Sequence, residues 1–96
     1  MSAQTLKVLA ALMSSPRDEL SGAEIGRLTK LPSGTLYPIL FRLEQAQWLR
    51  SRWENEDPRV LGRPRRRFYC ITGVGAKNAK AVFHELGPAI ARLAWA

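Results

Sequence analysis

Leu6, Leu9, Ala10 and Met13 stand at i, i+3, i+4 and i+7, the spacing that gathers side chains on one face of a helix. Ser2 is placed to cap its start, and Ser14-Ser15-Pro16 to end it. A polar connection follows from Arg17 to Leu20, with Leu20 reaching back toward the core. Ser21-Gly22-Ala23-Glu24 then has the form of a capping box, in which the serine accepts from the Glu24 amide and the carboxylate reaches back. A second helix of about ten residues is expected there, burying Ile25 and Leu28.

Leu31-Pro32-Ser33 breaks the chain, because proline disfavours helical geometry at the residue before it and Ser33 can cap a new helix. Leu36, Ile39, Leu40, Leu43 and Gln47 share one face, so a third helix is expected from about Gly34 to Ala46. Two short helices joined by a tight turn form a helix-turn-helix. Next, Trp48 to Glu54 reads as a strand with Leu49 and Trp53 on one face. Asn55 to Pro64 is a loop, and Arg65 to Ile71 a second strand carrying Phe68, Tyr69 and Ile71. A strand, loop and strand directly after a helix-turn-helix is the arrangement of a wing. Thr72 is placed to cap a last helix with apolar positions Ala79, Val82, Phe83, Leu86, Ile90 and Leu93, with a kink or break expected at Gly87-Pro88. The fold class is therefore mainly α with a small β-hairpin: a winged helix-turn-helix over residues 1–73 and a terminal helix over 74–96.

Charge sharpens this picture. The 96-residue chain carries a net charge of +7, which favours a polyanionic partner. Seven of its fifteen Lys and Arg residues lie between Arg50 and Arg67, and all seven are arginine. Arginine matches phosphate bidentately and enters narrow grooves better than lysine. With 46% hydrophobic residues the chain can bury a core, and no apolar run approaches the roughly 20 residues of a membrane span. Membrane contact is not expected. The single cysteine, Cys70, cannot form an internal disulfide and is expected to be a small buried residue, which suits a reducing cytoplasm; a DNA-binding chain is expected at the nucleoid there.

Opposite its apolar face the third helix presents Ser33, Gly34, Thr35, Tyr37, Pro38, Phe41, Arg42 and Gln45. Ser33, Gly34, Thr35, Tyr37, Pro38 and Arg42 are the expected contacts of a recognition helix to double-stranded DNA. Pro38 sits in the helix interior but only a turn from its start, and offers a flat apolar surface. Arg42 is read as a DNA contact or as half of an ion pair with a neighbouring helix. In the wing, Gly62 and Pro64 hold an extended tip, and Arg63 is placed to enter an A·T-rich minor groove, with Pro64, Arg65 and Arg67 beside it. Arg65 and Arg67 are expected on one face of the strand and Arg66 on the other.

Chemistry of other kinds finds no material. One histidine, His84, and one cysteine assemble no nucleophilic set, no metal spacing and no cofactor loop, so neither an enzyme nor a cofactor is expected. Glu54, Glu56 and Asp57 cluster in the loop, where mutual repulsion is expected to set its conformation.

Ser33-Gly34-Thr35-Leu36-Tyr37-Pro38-Ile39-Leu40-Phe41-Arg42-Leu43-Glu44, with Gly62-Arg63-Pro64-Arg65 and Arg67-Phe68-Tyr69-Cys70-Ile71-Thr72-Gly73, resembles the PadR family of bacterial regulators, named for the repressor of phenolic acid decarboxylase. The resemblance extends from Leu6 to about Leu86. It implies a winged helix domain whose terminal helix pairs two chains, acting as a repressor released by a small effector. By this resemblance Thr35, Tyr37 and Pro38 lie on the DNA side and Arg63 at the wing tip. Two departures stand out. Such proteins usually carry glycine where Gln47 stands, at a left-handed turn that strains any other residue by about 1 kcal/mol. The terminal helix is also short and expected to break at Pro88.

A terminal helix with so much apolar surface needs a partner. Leu6, Ala79, Phe83, Leu86, Ile90 and Leu93 are the expected interface of a homodimer, whose two-fold symmetry implies a palindromic operator with half-sites about 34 Å apart. Trp95 is a candidate for lining a pocket for a small aromatic effector. The competing reading, a winged helix that serves as a protein–protein adaptor, requires an apolar patch where the arginines stand.

Overall fold

A computed structural model describes the backbone of residues 1–95 and the side chains of residues 1–86. Helix α1 (Ala3–Ser14) is followed by β1 (Leu20–Ser21), α2 (Gly22–Thr29), α3 (Ser33–Gln45), β2 (Leu49–Trp53), α4 (Pro58–Leu61), β3 (Arg67–Ile71) and α5 (Gly73–Trp95). The three strands form one antiparallel sheet in the order β1-β3-β2. The fold is a winged helix: a helix-turn-helix of α2 and α3, with β2 and β3 as the stems of the wing.

Helix α1 is the hub. Ser2 Oγ accepts from the Thr5 amide at 3.2 Å and caps its start. Val8, Ala11 and Leu12 are buried as well as Leu6, Leu9 and Ala10, because other elements cover the helix on more than one side. Its packing against α2, α3 and α5 builds a core of Val8, Leu9, Leu12, Ile25, Leu36, Ile39, Leu40, Leu43, Leu49, Tyr69, Ile71 and Ala79.

The capping box of α2 forms as expected: Ser21 Oγ accepts from the Glu24 amide and Glu24 Oε1 from the Ser21 amide, both at 3.1 Å. The helix is shorter than expected, eight residues, and Leu28 is 47% exposed rather than buried. Its inward stripe is Gly22, Ile25 and Thr29, which turns Leu28 to water, and Leu31 packs on the core instead. Thr29 Oγ1 donates to the Ile25 carbonyl at 2.7 Å, and Lys30 (φ 60°) ends the helix in a left-handed turn.

Helix α3 starts one residue earlier than expected. Pro32, not Ser33, occupies the cap position, and no side chain caps it. The extended Pro32 backbone directs its carbonyl to the amides of Thr35 and Leu36, at 3.0 and 2.9 Å. Leu36, Ile39, Leu40 and Leu43 all face the core, whereas Gln47 lies beyond the helix end and is exposed.

Strand β1 appears where a polar connection was expected. Leu20 pairs with Tyr69 and Ser21 with Phe68, so this two-residue strand owes its form to the edge of β3. On the other side of β3, Leu49 pairs with Ile71, Ser51 with Tyr69 and Trp53 with Arg67, which places these six side chains on the helix-facing side. The second wing strand starts at Arg67, two residues later than expected, and the loop before it holds the short helix α4.

Thr72 Oγ1 accepts from the Gly75 amide at 2.9 Å and caps α5. Gly75 packs directly on the Trp48 backbone, where a Cβ has no room. No break occurs at Gly87-Pro88: α5 continues to Trp95. Pro88 removes a single bond, the one to the His84 carbonyl, from a helix of 23 residues.

Candidate nucleic-acid interface

One face of the molecule brings α3 and the wing together. Along the outer side of α3, Ser33, Gly34, Tyr37, Pro38, Phe41, Arg42 and Gln45 are exposed and Thr35 is half-buried. Of the sequence-derived helix contacts, all six therefore reach the surface at least in part. Arg42 forms no ion pair among the described residues, so the reading of it as half of a helix–helix salt bridge lapses.

Tyr37 projects from the second turn of α3 over the start of α2, and its ring lies against Gly22 so closely that a Cβ there would collide with it. Glycine at position 22 thus lets the second turn of α3 close on the first turn of α2. Pro38 lacks an amide hydrogen to donate to the Gly34 carbonyl, which lies in the exposed first turn where water can take its place.

The wing is organised around Glu54. Arg63 grips its carboxylate bidentately, at 2.6 and 3.1 Å. The Arg66 amide donates to the same carboxylate at 2.7 Å, and the Glu54 amide donates to the Arg66 carbonyl at 2.9 Å. The Arg63 guanidinium foremost, then the Arg66 amide, hold the Glu54 carboxyl down at about 2. Asp57 caps α4 by accepting from the Arg59 amide at 2.9 Å, and Gly62 ends that helix at φ 69°. The acidic cluster therefore acts through attraction, not repulsion: Glu54 and Asp57 each bind an arginine.

These pairs sort the arginines. Arg63, expected at the wing tip facing a groove, is folded onto Glu54 with its side chain 33% exposed. Arg52 lies on the far side of the sheet, paired with Glu19 at 2.7 Å and stacked over Phe68. Arg67 lies over the Trp53 ring, 5.1 Å from its centroid, and 3.6 Å from Glu44, whose other contact is the Ser51 hydroxyl at 2.7 Å. Arg65 reaches the Glu56 carbonyl, at 2.9 Å. Arg65 and Arg66 are exposed and meet no carboxylate within ion-pair distance among the described residues.

An open groove of about 540 Å³ runs between the wing, with Trp53, Pro64, Arg65 and Arg66, and the start of α2 at Gly22, joined there by Tyr37 of α3. Among the described residues no cluster of His, Cys, Asp or Glu is placed to hold a metal ion. Among the described residues no helix is long and apolar enough to cross a membrane. Cys70 is buried, 3.9 Å from the Pro16 carbonyl, and His84 is exposed.

The surface expected to meet a second chain is smaller than the sequence suggested. Leu6 and Ala79 are buried within the chain itself and Phe83 packs partly on the core, because the first turns of α5 lie along α1. Leu86 remains exposed at 40%. Ile90, Leu93 and Trp95 lie outside the described side chains. Two features escaped sequence reasoning. Glu54 grips Arg63 across a loop that holds α4, an attraction that leaves no periodic signal, and Arg66 at the groove was not among the expected contacts.

The signature of the transcriptional regulator PadR-like family matches residues 18–81. No curated protein matches the chain in sequence. In three dimensions it is similar to MarR from E. coli, with a TM-score of 0.74 and 18% identity over 98% of this chain and 64% of that one. S. aureus MepR in its DNA-binding conformation superposes with a TM-score of 0.70 and 20% identity, over 90% and 61% of the two chains. AbfR of Staphylococcus epidermidis gives 0.68 and 27% identity, over 88% and 52%. The chain thus spans less than two thirds of the length of these regulators.

Proposed function

The chain belongs to the PadR-like family of transcriptional regulators, and we propose that it binds double-stranded DNA with α3 in the major groove and the wing over the adjoining backbone and minor groove. One observation carries this reading: Tyr37 of α3 and the guanidinium groups of Arg65 and Arg66, which meet no carboxylate among the described residues, line a single groove, and the outer face of α3 stands open beside it. A duplex places phosphates along such a track, and the exposed start of α3 adds backbone amides toward them. Ser33, Gly34, Thr35, Tyr37, Pro38 and Arg42 serve as helix contacts, and Pro64, Arg65 and Arg67 as wing contacts. Arg63 serves first to hold the wing in shape. Arg66 joins the contact set.

The regulator acts as a homodimer on a palindromic operator, as a repressor in a bacterial cytoplasm at the nucleoid. Supporting the dimer is Leu86, an apolar side chain of α5 left 40% exposed. Residues 1–73 and the first turns of α5 form the DNA-binding unit, and the rest of α5 pairs the chains. A small aromatic effector near Trp95 relieves repression.

The test is a salt series on random duplex DNA with the parent chain, Arg65→Ala and Arg66→Ala. Each phosphate contact removed lowers the slope of log K against log salt by about 0.9. Unchanged slopes in both variants remove the wing from the interface, and salt-independent binding returns the protein to the adaptor reading.

A further inference from the structure

Midway along the outer face of α3, around Pro38 and Phe41, hydrogen-bonding side chains are few. Arg42 is the helix's one cation, and its one acid, Glu44, is engaged by Ser51 and Arg67. Tyr37 is partly occupied against Gly22. Beside the exposed polar side chains of Ser33, Arg42 and Gln45, two apolar ones stand outward: Pro38, and Phe41 at 64% exposure. They lie three residues apart, so they are neighbours on one strip of the helix, and Gln45 extends the strip a turn further.

The core does not need this phenylalanine, because Leu36, Ile39, Leu40 and Leu43 already fill the inner face. An apolar strip on a helix lying in a major groove has one base feature to meet there. Thymine alone carries a C5-methyl group, while the other exposed base edges are donors and acceptors that a phenyl ring and a proline cannot satisfy. A bare ring set against those edges would also strand their hydrogen-bonding groups without water.

Building on the DNA-binding reading, we infer that Pro38 and Phe41 form a methyl-reading strip that selects thymine in the operator half-site. Specificity at those positions comes from apolar contact with the C5-methyl, and Arg42, one residue round the helix, fixes the register on the flanking phosphate or guanine. The preferred half-site therefore contains thymine beneath the third turn of α3, and cytosine at that position is rejected for its missing methyl and for its amino group.

The experiment begins with selection of bound sequences from a random duplex pool using the full chain. The selected site is then synthesised with deoxyuridine replacing thymine at one position at a time, which removes only the methyl. At one or two half-site positions the parent should lose about fourfold in affinity, the factor that one buried methyl group supplies. Phe41→Ala should bind the thymine and uracil duplexes equally at those positions while keeping the parent salt slope. Indifference of the parent to every replacement overturns the inference alone. A Phe41→Ala chain that keeps the full preference for thymine, or that changes only its oligomeric state, overturns it too and assigns the ring to protein contact. Failure of selection to enrich any sequence overturns the DNA-binding reading itself, and the inference with it.

Discussion

The Thr72 hydroxyl donates to the Gln47 carbonyl at 2.7 Å while Gln47 itself is held at φ 65°. Around this contact the end of α3 closes as a Schellman motif: the Trp48 amide donates to the Leu43 carbonyl and the Gln47 amide to the Glu44 carbonyl, each at 2.9 Å. The same threonine caps α5. One strained residue thus joins α3, the wing and α5.

Replacing Gln47 by glycine removes the left-handed strain and keeps every backbone bond of the motif. Gln47→Gly should raise stability by about 1 kcal/mol, about 4–8 °C in Tm for a domain of this size. A β-branched residue there, Gln47→Val, should lower it by at least as much. Thermal unfolding of both variants checks the pair.

Gly75 and Gly22 each leave no room for a methyl group, for different neighbours and with different outcomes. Gly75→Ala meets the rigid Trp48 backbone and should cost about 1–3 kcal/mol of stability. Gly22→Ala meets a tyrosine ring that can swing away. Its stability should change by less than about 1 kcal/mol, while DNA affinity falls because Tyr37 is displaced from the groove wall. Denaturant unfolding beside a binding titration separates the two effects.

The Glu54 carboxyl is held at about 2 against an ordinary value of 4.5. Its folded value is the lower one, so its contribution to the wing is complete above about pH 4.5 and disappears as pH falls through about 2. Carbon-detected NMR titration should find this carboxylate still ionised at pH 3. In Glu54→Gln the Arg66 amide should exchange with solvent faster, while core amides of α1 keep their protection.

Periodic features were legible before any coordinates. The inner face of α3, the Ser21–Glu24 box and the Thr72 cap are each written in a short stretch of sequence, where local geometry decides them, whereas the turn at Gln47 followed from the family resemblance and not from periodicity. Features decided by distant partners were not. Leu20–Ser21 becomes a strand only because the edge of β3 is free beside it, and Arg63 turns inward only because Glu54 lies across the loop. Leu28 misleads because a helix stopping at Thr29 needs fewer inward positions than its apolar residues offer. The candidate site follows the same division: outward residues of α3 could be named singly, but which arginines stay free depended on ion pairs formed through the folded wing.

The central claim is that the outer face of α3 and the wing act as one DNA-binding surface. Amide chemical shifts followed while a duplex is added to the labelled chain test it most directly. Thr35, Tyr37, Phe41, Arg65 and Arg66 should shift together and saturate at one concentration, with Arg52 and Phe68 on the far side of the sheet unmoved. Shifts centred on Arg52 and Phe68, or movement of the wing without α3, would contradict it.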